Sequence, residues 1–509
     1  MAKVIAEAAP VPDDEKIILS FNASTRITGV SLNAAFALLT GWSLRLQGVR
    51  VVNYVCKRGM TRCVLGTNRE NVFKTPPCGQ CLMQSSALYD QSDAIWMRFI
   101  PTEELAKEIQ GTGLDILQDF TYEGIPLGEL CLPSIRWILR RHHLVDDAPT
   151  RVLYRHYILS AYKVARQFEK LVTQAQPTSV MVFNGMQFPE ATARWAARKH
   201  GVPVYSYEVG MRAFSAFFTP GDATAYPVDI PDEFQLTSEQ DQQLDEYLSK
   251  RFKGDFSMAG VAFWPEMTGL DEAFLAKMKA FKQVVPVFTN VIFDTSQPHA
   301  NVLFPHMFAW LDTVLETAKA HPETLFVIRA HPDESRPGKS SQESVTDWVA
   351  AREADTLPNL TFIGPDEYFS SYEMIQKAKF VMIYNSTIGM EASIMGAPVL
   401  CAGKARFTQL DTVFFPALMA EYQTKLEEFL SVDEVQPPAE HRLNARRFLY
   451  YQLYRTSLPF DRFIEPDGVW PGFVRLKAFS WQDLLPENST TLKVISEGVL
   501  SGKPFLLPE

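Results

Sequence analysis

The sequence predicts an α/β protein built from two Rossmann-like, doubly wound domains that face each other across a cleft. Strand-like apolar runs alternate with longer helical runs along most of the chain, which is the pattern of parallel sheets covered by helices on both faces. A chain of 509 residues is also too long for a single hydrophobic core, since domains hold roughly 100 to 200 residues each. A hydrophobic share of 46% with 21% charged residues is typical of a globular protein.

The first half opens with one βαβ unit. KIILSFNAS predicts a strand, LNAAFALLTGWSLRLQG a helix that ends on glycine, and VRVVNYVCK the next strand. AIWMRFI predicts a strand after a cysteine-rich segment, and residues 135–176 are largely helical. The rhythm then returns with the strand SVMVFNG, the helix PEATARWAARKHG and the strand VPVYSYEVG.

Between residues 221 and 269 the alternation of strand-like and helical runs is interrupted, which indicates a domain junction. The second half restarts with the strand VVPVFTNVIFD, a helix over 304–320 and the strand TLFVIRAHP. It continues as NLTFIGP, SSYEMIQKA, FVMIYNS, TIGMEASIMG and APVLCAG, alternately strand and helix. We therefore predict one domain over residues 1–265, a second over 266–435, and a helical tail over 436–509 that packs across both.

Charge and hydropathy exclude two classes of protein. The formal charge of −10 argues against a groove that neutralises many nucleic-acid phosphates. No apolar run reaches the roughly 20 residues of a membrane-spanning helix, and the N-terminus lacks a signal pattern. We expect a cytoplasmic protein with no nucleic-acid partner, associated at most peripherally with the inner face of the membrane; the oligomeric state stays open.

Four of the six cysteines crowd into one segment of the first half, at Cys56, Cys63, Cys78 and Cys81. In a reducing compartment structural disulfides are disfavoured. Soft sulfur ligands suit a structural zinc ion or an iron–sulfur cluster. The first spacing is not the CxxC of a zinc ribbon, so ordinary buried or loop cysteines are the alternative.

The clearest local signal for function is the strand FVMIYNS followed directly by a helix. Asn385, Ser386 and Thr387 lie where the helix begins, and free N–H groups with a partial positive charge favour a phosphate there. Gly389 is expected to let a ligand approach the backbone, and Glu391 to face the cleft and accept hydrogen bonds from ribose hydroxyls. The alternative is plain capping of the helix by a hydroxyl.

A second signal stands at the end of TLFVIRAHP, where Arg329 and His331 follow a strand. A guanidinium can hold a phosphate bidentately, and an imidazole can donate to it or, when protonated, stabilise a leaving group. The alternative is that His331 only caps its loop.

These two segments resemble the capsule polysaccharide synthesis protein family, bacterial GT-B glycosyltransferases that include β-Kdo transferases. The family has an HP dipeptide and then NSTxGxEA…GxPV…G, which stand here as RAHPDE and NSTIGMEASIMGAPVLCAG, over about residues 284–415. The resemblance implies a GT-B fold, a nucleotide-sugar donor held by the C-terminal domain, and no obligatory catalytic metal or other cofactor.

One departure leaves the donor open. Kdo-transferring members have a QPxxD-type motif near the start of this domain, whereas this chain has IFDTSQPHAN, in which Asp294 is placed comparably. The donor is therefore left among CMP-, UDP-, GDP- and dTDP-linked sugars.

The N-terminal domain is expected to meet the acceptor, since polar groups at strand ends suit sugar hydroxyls. Candidates for this contact are Ser24, Thr25, Arg26, Asn184 and Gln187. Glu208, also at a strand end, is the candidate general base, with Asp294 as an alternative base and His331 as a further catalytic group. A turn-capping or Arg212-pairing role is the alternative for Glu208.

The predicted function is transfer of a sugar from a nucleotide-sugar donor to a surface-glycan, lipid-linked or protein acceptor. A nucleotide-sugar epimerase and a polyol-phosphate transferase share the same two-domain frame and stay as alternatives. A non-catalytic glycan-binding protein, or a redox sensor built on the cysteines, belongs to a different class.

Overall fold

The computed structural model describes residues 1–23, 28–252, 257–258, 261–262 and 267–509. The first half contains α1 (Ala2–Ala8), β1 (Asp13–Phe21), β2 (Val30–Ser31), α2 (Leu32–Leu46), β3 (Val49–Cys56), α3 (Cys78–Leu88), β4 (Asp93–Met97), α4 (Glu103–Glu108), α5 (Leu114–Gln118), α6 (Leu127–Leu139), α7 (Ala148–Ala175), β5 (Ser179–Phe183), α8 (Glu190–Lys199), β6 (Val204–Val209) and β7 (Ser215–Thr219).

The remaining elements belong to the second half and the tail. They are α9 (Ser238–Phe252), β8 (Ser257–Met258), β9 (Val261–Ala262), α10 (Glu272–Lys279), β10 (Gln283–Phe288), α11 (Gln297–Ala300), α12 (Met307–Ala320), β11 (Thr324–Arg329), α13 (Val345–Arg352), β12 (Leu360–Ile363), α14 (Ser371–Gln376), β13 (Val381–Ile383), α15 (Ile388–Ile394), β14 (Val399–Cys401), α16 (Met419–Ser431), α17 (Ala439–Tyr450), β15 (Leu458–Pro459), β16 (Ile464–Pro466), β17 (Phe473–Leu476) and α18 (Thr490–Ser501).

Each half is built on a parallel sheet with the same strand order. The first sheet runs β15-β7-β6-β5-β1-β3-β4, of which the last five strands are parallel, and the second runs β12-β11-β10-β13-β14. Numbered along the chain, the parallel strands of both sheets follow the Rossmann order 3-2-1-4-5. The prediction of two Rossmann-like domains is confirmed.

Both sheets are covered on both faces, because their strands are apolar on both sides. In β1, Leu19 packs into the core beneath α6 to α8, while Ile18 packs into the core with α2 and α18. In β11, Phe326 faces α12 and α16, while Val327 faces α15 and α17. The strands and helices predicted from apolar periodicity are all present.

The tail runs from the second half back to the first. Helix α17 packs against α15, after which β15 pairs antiparallel with β7, Leu458 opposite Ala216. Helix α18 then packs against α2 and β5. The limits of the domains at residues 265 and 435 stay predictions.

No helix in the described ranges combines the length and the apolar character that crossing a bilayer requires.

Candidate active site

A cavity of about 1150 Å³ lies between the carboxyl ends of the two sheets. Four asparagines on its wall follow the strands at which the strand order reverses: Asn22 after β1, Asn184 after β5, Asn290 after β10 and Asn385 after β13. Such switch points open a crevice where ligands of α/β sheets bind. The topology of both halves therefore converges on one site.

Asn184 holds the first-half wall in place. It has a positive φ of 59°, and its Oδ1 accepts the N–H groups of Met186 at 3.1 Å and Gln187 at 3.2 Å. Its Nδ2 donates to Glu208 Oε2 at 2.9 Å. Both predicted acceptor-binding residues of this turn, Asn184 and Gln187, line the cavity.

Glu208 lies near the end of β6 on the cavity wall. Its Oε1 accepts the N–H of Val209 at 2.9 Å. Burial raises the pKa of Glu208 and Asp294 raises it further, while the hydrogen bonds from Val209 and Asn184 lower it. Arg212, the alternative partner, instead lies over the ring of Tyr454, 5.5 Å from its centroid.

Asp294 reaches the same cavity from the second half. Its Oδ1 accepts the N–H of Ser296 at 2.9 Å, and its carbonyl oxygen accepts the N–H of Gln297 at 3.0 Å, where α11 begins. The two candidate bases thus come from opposite halves and lie close enough for the charge of Asp294 to act on Glu208.

His331 lines the cavity and also caps its own loop. Its Nδ1 accepts the N–H of Asp333 at 3.1 Å, so the ring hydrogen of the neutral form lies on Nε2. Burial lowers the pKa of His331, and the imidazole is therefore neutral near pH 7. Both the functional and the capping interpretation of this residue are compatible with its position.

Asn385, Ser386 and Thr387 line the cavity, as predicted. The N–H of Asn385 donates to Asn290 Oδ1 at 3.2 Å, and Gln297 Nε2 donates to Asn385 Oδ1 at 3.3 Å. Helix α15 begins directly after Thr387. The turn before α15 therefore forms part of the cavity wall.

Two other residues of this motif are buried, and the expectations for them were wrong. A Cβ on Gly389 would meet Ile383 Cδ1 at 2.2 Å, so this glycine lets α15 pack onto β13 and does not admit a ligand. Glu391 is 2% exposed. Its Oε1 accepts from Arg251 Nε and its Oε2 from the Tyr372 hydroxyl, both at 2.6 Å, so it faces α9 and α14 and not the cleft.

Arg329 does not contribute to the cavity wall among the described residues. Its side chain is 4% exposed, and its Nη2 lies 3.7 Å from Met267 Sδ. It shares the strand parity of Val327, which points into the core beneath α15. Burial lowers the pKa of Arg329 to about 10. The expected contact with a donor phosphate is not available in this arrangement.

Sequence reasoning missed a set of basic residues on the second-half wall of the cavity: Arg336, Lys339, Lys404 and Arg406. They follow β11 and β14, in RAHPDESRPGK and CAGKAR, within ten residues of a strand end. Searching for cations at those positions would have found them. The Arg406 guanidinium also lies 4.1 Å from the ring centroid of Tyr226.

Sequence reasoning also gave His299 no role in the site. It lines the cavity and its Nε2 lies 3.0 Å from Thr224 Oγ1. His306 instead caps a helix, since its Nδ1 accepts the N–H of Ala309 at 3.1 Å. The His299 contact joins distant segments, which local spacing does not reveal.

Three predicted acceptor residues, Ser24, Thr25 and Arg26, lie outside the described residues. Asn22, just before them, lines the cavity, as do Ser31 and Asn33 just after them. Asn22 Nδ2 donates to Asn53 Oδ1 at 3.0 Å. The wall on both sides of this segment is therefore polar.

The four clustered cysteines are reduced and partly buried. Among the residues that the structure describes, no three His, Cys, Asp or Glu side chains are positioned to hold a single metal ion. The described side chains therefore do not support the zinc alternative of the prediction for Cys56, Cys63, Cys78 and Cys81, and the iron–sulfur alternative stays a prediction.

Part of the sequence matches the model of a known protein family. Residues 270–410 match the model described as "Capsule polysaccharide biosynthesis protein". No curated protein matches the sequence. Several solved structures are similar, among them the following three, all with TM-scores below 0.4. The β-Kdo 2,4 transferase of KpsC from Thermosulfurimonas dismutans has 11% identity over 59% of this chain and 84% of its own, with a TM-score of 0.37.

For the β-Kdo 2,7 transferase of the same KpsC, identity is 14% over 61% of this chain and 85% of its own, with a TM-score of 0.33. A UDP-GlcNAc 2-epimerase from Neisseria meningitidis, bound to UDP-GlcNAc, has 12% identity over 86% of this chain and 99% of its own, with a TM-score of 0.26. The family match covers both motifs on which the resemblance rested, so residues 270–410 are similar to the capsule polysaccharide biosynthesis protein family.

Proposed function

We propose that the chain is a GT-B glycosyltransferase that moves a sugar from a nucleotide-sugar donor to a hydroxyl of a surface-glycan, lipid-linked or protein acceptor. One observation carries the proposal. Glu208 and Asp294, carboxylates from opposite halves, lie on one cavity whose second-half wall is rich in cations. A donor and an acceptor bound on opposite walls would meet at these carboxylates.

The second-half wall suits the pyrophosphate of the donor. Lys404 and Arg406 follow β14, and Ser386 and Thr387 open α15, all on the same cavity. Cationic side chains form charge-assisted hydrogen bonds to phosphate oxygens, which are stronger than neutral ones. The base and sugar of the donor are left among CMP-, UDP-, GDP- and dTDP-linked sugars.

The proposed reaction exchanges one bond for another. The bond between the acceptor oxygen and the anomeric carbon forms as the bond between that carbon and the donor phosphate oxygen breaks. The nucleotide leaves with the electron pair, and the acceptor proton passes to Glu208. A carboxylate whose pKa is raised toward neutrality is a better base for this step.

The leaving phosphate needs a donor of hydrogen bonds. His331 is neutral and carries its hydrogen on Nε2, because Nδ1 accepts from Asp333. It is suited to donate to an oxygen on which negative charge develops. Asp294 is the alternative base, placed on the same wall as the donor.

Nucleotide binding and acceptor dependence test the proposal together. We expect one nucleoside diphosphate or monophosphate to stabilise the protein in a thermal-shift screen, by about 2.7 kcal/mol at 100 times its dissociation constant. Release of that nucleotide from the matching sugar donor is expected only when an acceptor is added.

Two outcomes would contradict the proposal. Conversion of the donor sugar to an isomer without an acceptor would identify an epimerase. Binding of glycans without any nucleotide binding would identify a non-catalytic glycan-binding protein. The control variant is Glu316→Gln, which removes the charge of an exposed carboxylate on α12 that does not line the cavity. It shows how far loss of a negative charge by itself changes the assay.

A further inference from the structure

The segment that contains the four clustered cysteines has two turns of the same form. Cys56 Sγ accepts the N–H of Gly59, and Cys63 Sγ accepts the N–H of Gly66, both at 3.3 Å. Each turn has the spacing Cys-x-x-Gly. A backbone N–H that points at sulfur stabilises the thiolate, which is the form of cysteine that binds metals.

The other two cysteines open helix α3. The N–H of Cys78 donates to Pro76 O at 2.8 Å, and that of Cys81 to Pro77 O at 3.2 Å. Residues three apart in a helix lie on one face. The two sulfurs of this Cys-x-x-Cys pair are therefore presented on the same side of the helix.

Packing brings the start of α3 against both turns. A Cβ on Gly66 would lie 3.0 Å from Pro76 Cβ and 3.2 Å from Cys63 Sγ. A Cβ on Gly79 would lie 3.7 Å from Arg58 Nη2, a side chain of the Cys56 turn. The chain thus folds so that three separate stretches with cysteines share one small region.

The effect of each sulfur on its neighbours supports this proximity. Cys63 interacts electrostatically with Cys56, Cys81 and Cys78. Cys81 likewise interacts with Cys56 and Cys78. All four sulfurs lie within range of one another's charge.

The segment is also anchored to a rigid element. The N–H of Thr61 donates to Ser160 Oγ at 3.0 Å, and Thr61 Oγ1 donates to the carbonyl of His156 at 2.9 Å, both on α7. Arg62 Nη1 donates to the carbonyl of Lys74 at 2.7 Å and closes the loop between the two pairs of cysteines. The four thiols are therefore held in place by the fold.

We propose that Cys56, Cys63, Cys78 and Cys81 bind an iron–sulfur cluster. Thiolates are the ligands that such clusters take, one for each iron of a cubane or two for each iron of a two-iron cluster. The described side chains do not converge as a single ion requires. In a cluster each cysteine binds a metal at a different corner, so its ligands stand farther apart than those of one zinc ion.

The cluster would fix one wall of the cleft. Val64, Leu65, Thr67 and Arg69, all between the second and third cysteines, line the cavity. Arg69 Nη1 donates to the carbonyl of Gly338 in the second half at 2.7 Å. Under the proposed function, loss of the cluster loosens the acceptor side and raises the KM for the acceptor; metal binding itself does not depend on that function.

The test is the metal content of the full chain purified without oxygen. We expect iron and acid-labile sulfide in equal amounts, roughly two to four of each per chain, with broad visible absorption. The double variant Cys78→Ser with Cys81→Ser is expected to lose both. Cys131→Ala, which removes a fully buried thiol of the core on α6, is the matched control and keeps them.

A second measurement does not depend on how the variants fold. In the wild-type protein, we expect thiol reagents to modify the four clustered cysteines only after the cluster is removed by oxidant and chelator. Cys131 and Cys401 are buried and stay unreactive throughout. Protein without iron, stoichiometric zinc in its place, iron retained by the double variant, or four thiols that react at once would each overturn the proposal.

Discussion

The two halves of the molecule share one strand order but build their walls of the cleft differently. On the second-half wall, Asn385, Ser386 and Thr387 stand together in a single turn between β13 and α15. On the first-half wall, Asn22, Asn184 and Glu208 come from three strands far apart in the sequence. One turn of the second half thus supplies three adjacent wall residues, whereas these three residues of the first half are brought together only by tertiary structure.

The walls also differ in charge. Arg336, Lys339, Lys404 and Arg406 gather on the second-half wall. The first-half wall presents amides, the carboxylates of Glu190 and Glu208, and one cation, Arg69. This asymmetry suggests that changes on one wall affect donor binding and changes on the other affect the chemical step, and it can be tested residue by residue.

The largest effect is expected from Glu208→Gln on the first-half wall. If Glu208 removes the acceptor proton, kcat falls by about 10² to 10⁴ while nucleotide affinity is kept, because general bases contribute rate factors of that size. Steady-state kinetics with an acceptor, and calorimetry with the nucleotide, measure the two separately. An unchanged kcat would reassign the base to Asp294.

The pH profile sharpens the same prediction. Because the pKa of Glu208 is raised, and a base acts only when deprotonated, kcat/KM rises as the pH increases through that raised pKa. The rising limb is expected to disappear in Glu208→Gln and to persist in the control Glu316→Gln.

Glu391→Gln separates structure from binding within the second-half motif. Glu391 is buried and pairs with Arg251, which is partly exposed on the cavity wall. Removing one partner of a fully buried ion pair costs about 3 to 5 kcal/mol, so we expect a cost below that range. We expect a lower free energy of unfolding in denaturant titrations, with nucleotide affinity of the remaining folded protein preserved. If the variant has normal stability but fails to bind nucleotide, Glu391 contributes to donor binding after all.

Lys404→Ala tests the charge of the second-half wall. Loss of a hydrogen bond to a charged phosphate costs about 1.5 to 3 kcal/mol, or roughly ten- to a hundredfold in nucleotide affinity. Calorimetry is the measurement, and Lys425→Ala on α16 is the control, since Lys425 pairs with Glu428 outside the cleft. Equal affinities in both variants would place the phosphates elsewhere.

The smallest effect is expected from His331→Ala. A hydrogen bond from a neutral imidazole to an oxygen on which charge only develops lies at the lower end of the range given for Lys404→Ala, about 1.5 kcal/mol, or roughly tenfold in kcat/KM. Since the pKa of His331 is lowered, the ring stays neutral above its ordinary value of about 6.5, and the effect is the same at neutral and at alkaline pH. An effect confined to acidic pH would show that the protonated ring acts.

The sequence predicted the sheets well because apolar periodicity is a local property. It also placed Asn385 to Thr387 and Glu208 at the cleft, since the ends of parallel strands meet at one edge, while their roles stay predictions. It failed for Glu391 because the direction of a side chain on a helix was judged from the helix alone. Arg251 comes from α9, 140 residues earlier in the chain, and it covers the face that looked solvent-exposed.

Arg329 was misplaced for a different reason. Successive residues of a strand point to opposite faces of the sheet, and Arg329 has the same parity as Val327, which is in the core. Its position at the end of β11 suggested that its side chain faces the cleft. The strand includes Arg329 itself, however, so the alternation of side chains along the strand directs it into the core. Lys404 and Arg406 lie after the end of β14, where side chains no longer alternate between the two faces of the sheet.

The return of the tail to the first sheet sets the order in which the protein can be completed during synthesis. Strand β15 and helix α18 leave the ribosome after the whole second half, yet they finish the first sheet: Ser179 Oγ donates to the carbonyl of Val499 at 2.7 Å, and Ser43 Oγ to that of Leu484 at 2.6 Å. Until these elements are synthesised, the first half therefore has part of its apolar face uncovered and one edge strand of its sheet, β7, unpaired on its outer side. That interval is when a chaperone would be needed most.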